Sequence, residues 1–180
     1  MQSSATIGEA TQIRNVEIKA RDPDPPRTLE AALAVGEDQG VLVQRDTYFH
    51  AVKGRLKLRE IEGSAAELIA YDRADLSGPK VSVYRRVPVL DPAEMIGALG
   101  DALGVRTVVE KRRRLVLWRN VRIHLDEVAR LGRFVELEAV AATSGGLEAE
   151  REKVQELRGR LGIEDDRLLI ARGYAELLGA

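Results

Sequence analysis

At 180 residues, with 44% apolar and 32% charged side chains, the chain suits one globular domain with a full core. Its 28 basic and 29 acidic residues nearly cancel to a formal charge of −1, which argues against a surface devoted to nucleic acid or anionic lipid. Having no cysteine excludes disulfides, thiolate catalysis and thiolate metal sites. With only His50 and His124 available, any metal must be held mainly by oxygen, which suits a hard ion such as Mg2+ or Mn2+.

No apolar run approaches the roughly 20 residues of a spanning helix, and residues 1–13 lack the basic start and apolar stretch of a leader. The expectation is a soluble cytoplasmic protein, without nucleic-acid or membrane partners, carrying a flexible tail over residues 1–13. Arginine makes up 22 of the 28 basic residues, and its fork grips carboxylate or phosphate bidentately.

In chain order, Asn15 to Arg21 alternates as a strand does, and the DPDPP run ends it. A helix is expected from Thr28 to about Asp38, with Leu29, Ala32 and Leu33 at helical spacing. Strand-like runs follow around Val41 to Val52, Arg55 to Ile61, Ala66 to Arg73 and Lys80 to Val89, separated by turn residues. Asp91-Pro92 starts a helix that ends near Gly104. A long strand from about Val105 to Trp118, a run at Val121 to Val128 and another at Arg133 to Ala141 complete about eight strands. Ser144 is placed to cap a further helix with an apolar stripe at Leu147, Val154, Leu157 and Leu161, and Asp166 to Leu178 reads as helical.

Alternation also sorts the charges by face. Arg55, Lys57 and Arg59 share one face of their strand, and Arg122, His124 and Asp126 share one of theirs. Glu136 lies with Glu138, Glu17 with Lys19, Tyr71 with Arg73, and Lys111 with Arg113. A solvated outer face explains any one of these strands, but six of them, some wholly basic and some acidic, point to a sheet curled round a charged interior. Basic side chains in number require a polyanion, and neighbouring carboxylates require a divalent cation. A metal-bound polyphosphate supplies both.

The motifs NVEIKAR (Asn15 to Arg21), QRDTYF (Gln44 to Phe49), GRLKLRE (Gly54 to Glu60), LIAYDR (Leu68 to Arg73), VEKRR (Val109 to Arg113), HLDEVARLGRFVELE (His124 to Glu138) and RGYAELL (Arg172 to Leu178) resemble, in order, those of the CYTH superfamily of triphosphate tunnel metalloenzymes. That resemblance implies an α+β fold: an eight-stranded antiparallel β-tunnel, a closed barrel braced by helices, forming a single domain over residues 14–180. It implies that Glu17, Asp126, Glu136 and Glu138 hold Mg2+ or Mn2+. Lys19, Lys57, Arg59, Arg73, Lys111, Arg113, Arg122 and Arg172 would bind the phosphates, with Lys19, Arg59 and Arg113 acting in catalysis.

The motif run is most similar to the class IV adenylyl cyclase branch, whose members suggest a homodimer. Cyclisation of ATP to cyclic AMP and pyrophosphate is therefore the first expectation. Hydrolysis of ATP, thiamine triphosphate or inorganic triphosphate is the alternative, and non-catalytic binding of a nucleotide or polyphosphate the third. Two positions depart from the family pattern. Asn15 stands where the E-x-E-x-K signature begins with a carboxylate, and Gly173 precedes Tyr174 where many members have serine. The residues that contact a base are not legible in these motifs.

Overall fold

A computed structural model describes residues 13–73, 78–141 and 146–179, so the expected N-terminal tail and the Ser144 cap lie outside the described residues. Each alternating run forms a strand: β1 (Ile13–Arg21), β2 (Glu37–Phe49), β3 (Arg55–Ile61), β4 (Ala66–Arg73), β5 (Lys80–Val89), β6 (Val105–Trp118), β7 (Val121–Val128) and β8 (Gly132–Val140). They pair antiparallel into a closed barrel in the order β1-β5-β4-β3-β2-β6-β7-β8. In that ring β1 and β8 lie across the lumen from β2 and β3. Eight strands leave an interior just wide enough for side chains or one small ligand.

The sheet is inverted relative to an ordinary barrel, with its apolar faces outward under helices and its charged faces inward. Helix α3 (Glu148–Leu161) lays Val154, Leu157 and Leu161 on Val16, Ile18, Val121, Ile123, Val135, Leu137 and Ala139, all fully or almost fully buried. Helix α1 (Pro25–Val35) adds Ala32 to the same core, and helix α2 (Pro92–Leu103) covers Phe49, Leu58, Ala66 and Val89 with Met95, Ile96 and Leu99. Because the helices satisfy the outer face, the inner face is released to carry charge.

The second strand runs Glu37–Phe49 where Val41 to Val52 was expected, and both ends of the first helix move as well. Helix α1 begins at Pro25, three residues before Thr28, because Asp24 caps it by accepting from the Arg27 N–H and the prolines occupy the first positions, where no N–H partner is required. It ends at Val35, and Asp38 belongs to β2. Gly36 makes the join, since a Cβ there would come within 2.6 Å of the Leu117 carbonyl oxygen. Leu33 consequently points outward, at 41% exposure.

The stretch from Asp166 to Leu178 is not one helix. A 3-10 turn at Asp166–Leu168 gives way to chain lying along β1, with Leu169 bridged to Ala20 and the Ile170 N–H donating to the Lys19 carbonyl at 2.8 Å. Only then does the short helix α4 (Tyr174–Leu177) form. It seats Tyr174 and Ala175 among Tyr48, Val109, Val128 and Phe134, closing one end of the barrel. Among the described residues no helix is long and apolar enough to cross a membrane.

Candidate functional site

The lumen holds a cavity of about 340 Å³, within the size range of small-molecule sites. Strand period brings to it Lys19 and Glu17 from β1, Lys57 and Arg59 from β3, Arg73 from β4, Lys111 and Arg113 from β6, Arg122 and His124 from β7, and Glu136 and Glu138 from β8. Arg112, between two of these, is exposed on the outer face. Arg55 stands at the closed end, bonded to the Arg73 carbonyl oxygen at 3.0 Å and to Glu176 at 3.1 Å.

Sequence reasoning missed the aspartate that organises the basic wall. Asp46 on β2 is 1% exposed and sits opposite Arg59 in register; it accepts from Arg59 Nε at 2.9 Å, from Lys57 Nζ at 2.9 Å and from Gln44 Nε2 at 3.0 Å. The alternation that placed Lys57 and Arg59 on one face was legible. The carboxylate between them sits on the neighbouring strand, and only the register reveals it. The basic strand is thus neutralised by the protein itself, where the sequence led us to expect that only ligand would do so. Burial opposes the charge on Asp46, yet Arg59 and Lys57 hold it well below the usual carboxylate range.

Asp126 takes a matching place on β7, opposite Arg113. It accepts from Arg113 Nε and Nη2 at 2.6 Å each, from Lys111 Nζ at 3.0 Å and from the Tyr174 hydroxyl at 3.0 Å. With its oxygens engaged and only 2% exposure, it does not line the cavity. The expected metal-ligand role therefore does not suit its setting, which is that of a residue orienting Arg113 and Lys111. Arg172 also lies outside the cavity lining, because Gly173 and Tyr174 fill the barrel end where it was expected. Gly173 leaves room for the Glu176 carboxylate, with which a Cβ would collide, and Tyr174 still makes its closing contact. The Tyr174 ring packs under Lys19 Nζ, 3.4 Å from the ring centroid.

The acidic wall is formed where β1 and β8 meet. Glu17 lies directly opposite Glu138, and Lys19 opposite Glu136. Each carboxylate turns to a cation: Glu17 to Arg73 at 2.8 Å, Glu136 to Lys19 at 2.9 Å and Arg113 at 2.5 Å, and Glu138 to Arg122 at 3.2 Å. Among the described residues no three carboxylate or imidazole groups converge as a ready-made metal site. The donor set nevertheless fits a hard divalent ion. It is all oxygen, it sets two like charges opposite each other, and the Asn15 Oδ1 is buried there without a hydrogen-bond partner among the described residues while its amide nitrogen donates to Glu138 at 2.5 Å.

Burial and the nearby Arg113 lower the pKa of His124, which stands 3.7 Å from Glu136 and 4.0 Å from Glu138. Burial, reinforced by Arg59, pushes Lys57 down to about 7 despite the Asp46 contact, and the Lys57 Nζ also lies 3.4 Å from the Tyr48 hydroxyl. Lys80, which the motifs did not single out, is 2% exposed at the closed end, where its amine donates to the Ala171 carbonyl at 2.8 Å. Burial and Arg73 push it down to about 8.

A closed antiparallel barrel with basic and acidic walls facing each other inside it defines a tunnel fold, and the chain belongs to the CYTH family, whose domain matches residues 14–174. No curated protein matches the sequence. Among solved structures it is similar to the PH1012 protein of Pyrococcus horikoshii, with a TM-score of 0.81 at 22% identity over 91% of this chain and 98% of that one. It is similar to a candidate adenylate cyclase of Vibrio parahaemolyticus (TM-score 0.74, 18% identity, 92% of this chain and 98% of that one). It is also similar to a Hippeastrum protein with a dominant triphosphatase activity (TM-score 0.61, 16% identity, 92% and 93%).

Proposed function

We propose that the protein is a divalent-metal-dependent enzyme acting on a triphosphate, with a class IV adenylyl cyclase reaction as its first assignment. One observation carries the reading: a single cavity is lined by Lys19, Lys57, Arg59, Arg73, Lys111, Arg113 and Arg122 on its walls together with Glu17, Glu136 and Glu138. Mg2+ or Mn2+, held by those three glutamates, would screen phosphate oxygens from one another.

The chain's own side chains do the rest. The guanidinium groups of Arg59 and Arg113, fixed by Asp46 and Asp126, present donors to phosphoryl oxygens, and those contacts strengthen as charge grows in the transition state. Lys19, held between Glu136 and the Tyr174 ring, adds a point charge from the β1 wall. In cyclisation the ribose 3′ oxygen bonds to the α-phosphorus, the bond to pyrophosphate breaks, and the hydroxyl proton passes to a base. If it follows the cyclase branch, the enzyme works as a homodimer.

Triphosphate hydrolysis is the second reading, because the same cavity, with its basic walls and its three glutamates, would equally serve a water attacking the terminal phosphate. Incubation with ATP, thiamine triphosphate and inorganic triphosphate, each with Mg2+ or Mn2+, separates the readings by product. Cyclic AMP with pyrophosphate supports the first, and orthophosphate release supports the second. Binding without turnover of any of the three would reduce the protein to a polyphosphate-binding module.

A further inference from the structure

At the end of the tunnel opposite Tyr174, the inward positions change character. Beyond Arg59, Arg113 and Gln44 the next inward residues on β3, β6 and β2 are Ile61, Leu115 and Leu42, and all three line the cavity. The register places them side by side: Leu42 pairs with Arg113, so Leu115 is its diagonal neighbour across β2–β6, and Ile61 pairs with Gln44 across β2–β3. All three are half-buried, and none belongs to any of the hydrophobic cores that α1, α2, α3 and α4 complete. Tyr84 and Ile69, both largely buried, face the same end from β5 and β4.

Among the described residues these three aliphatic side chains have no core partners, and facing an aqueous, charged lumen they gain nothing from that position in the empty protein. Inorganic triphosphate, polar throughout, would leave them uncovered. We infer that Leu42, Ile61 and Leu115 form a collar that receives the organic group of a triphosphate ester, a flat nucleoside-type ring, and so select nucleoside triphosphates over inorganic triphosphate. This inference rests on the reading of the basic tunnel as a triphosphate site. The basic side chains hold the phosphates deeper in the tunnel, and the ester's ring lies against the collar with Tyr84 on the opposing side. The collar was not legible in the sequence because Leu42, Ile61 and Leu115 look like ordinary strand residues until parity and register bring them to one mouth.

The test compares ATP with inorganic triphosphate, each with Mg2+, by calorimetric binding and by steady-state kinetics, in the wild type, Leu42→Asn and Leu115→Asn. The wild type is expected to prefer ATP. Each substitution should weaken ATP binding and raise its KM by about 10-fold or more, the scale of one lost apolar contact in a ligand pocket, while inorganic triphosphate binds as before. Unchanged binding of inorganic triphosphate also reports that each variant is folded. Equal affinity of the wild type for the two ligands, or equal losses for both in the variants, overturns the collar and leaves the tunnel assignment standing. Failure of both triphosphates to bind the wild type overturns the two together.

Discussion

Arg113 meets Asp126 across the β6–β7 ladder through two hydrogen bonds of 2.6 Å, with the carboxylate side chain wholly out of solvent. Burial works against the Asp126 charge, but Arg113 and Lys111 hold it far below its ordinary value of 3.8. Removing the charge in Asp126→Asn leaves two buried cations under-compensated, and the expected loss of stability is about 3–5 kcal/mol. The pH dependence has a definite sign. Depressed in the folded state, Asp126 and Asp46 bind fewer protons than in the unfolded chain as pH falls through about 4, so their contribution is complete above that value and lost below it. Urea unfolding between pH 3 and 7 should show a steeper acid loss in the wild type than in Asp126→Asn. Parallel curves would mean that the pair contributes nothing to folding.

Neighbouring arginines on β6 offer a sharper test of facing. Arg112 points to solvent opposite Glu127, whereas Arg113 lines the tunnel and bonds Asp126 and Glu136. Arg112→Ala is expected to leave triphosphate turnover close to wild type. Arg113→Ala should lower it on the order of 100-fold, as loss of a transition-state donor does. Steady-state kinetics of the two variants decides the matter, and a crippling Arg112→Ala beside a silent Arg113→Ala would invert the assignment of that strand.

The eight strands and the inward residues of β1, β3, β6, β7 and β8 were legible because a period of two leaves only one question per strand, namely which face is charged. Cross-strand relations were not. Asp46 is one acidic residue in a mixed run until β2 pairs with β3, and the Glu17–Glu138 opposition exists only once β1 and β8 close the ring. The C-terminal stretch misled for another reason. Its composition suits a helix, but the backbone of Leu169 and Ile170 finds partners on β1, and that pairing overrides local propensity.

Lys57 should couple binding to proton uptake. It faces Asp46, Arg59, Lys111 and the Tyr48 hydroxyl, and its pKa falls from 10.5 to about 7. Below pH 7 folded and unfolded chains both carry this proton and the cost of burying the charge is complete. Between 7 and 10.5 the unfolded chain holds the extra proton, so the cost is relieved and stability rises with pH. A bound triphosphate favours the charged amine, so binding at pH 8 should take up a proton and weaken as pH rises. Calorimetry at pH 8 in two buffers of different ionisation enthalpy should reveal that uptake in the wild type and a smaller one in Lys57→Met. Identical uptake in both proteins would place the titrating group elsewhere.

The opposition of Glu17 and Glu138 carries the expectation for metal. Like charges directly opposite on neighbouring strands are unfavourable, and here Arg73 draws one carboxylate aside while Arg122 and Asn15 draw the other. A divalent ion held by these carboxylates would relieve the repulsion and release both arginines to phosphate. Asn15 supplies a neutral oxygen where a further carboxylate would add charge, so each remaining glutamate should matter more to ion affinity. In the wild type, Mn2+ at about a hundred times its dissociation constant should raise stability by roughly 2.7 kcal/mol through mass action alone. Glu17→Gln and Glu138→Gln should each lose most of that gain at the same Mn2+ concentration, read as the difference between each variant's own melts with and without the ion. Thermal melts with and without Mn2+, paired with paramagnetic detection of the bound ion, give both readouts. The same metal-induced shift in all three proteins would show that the ion is held by other residues.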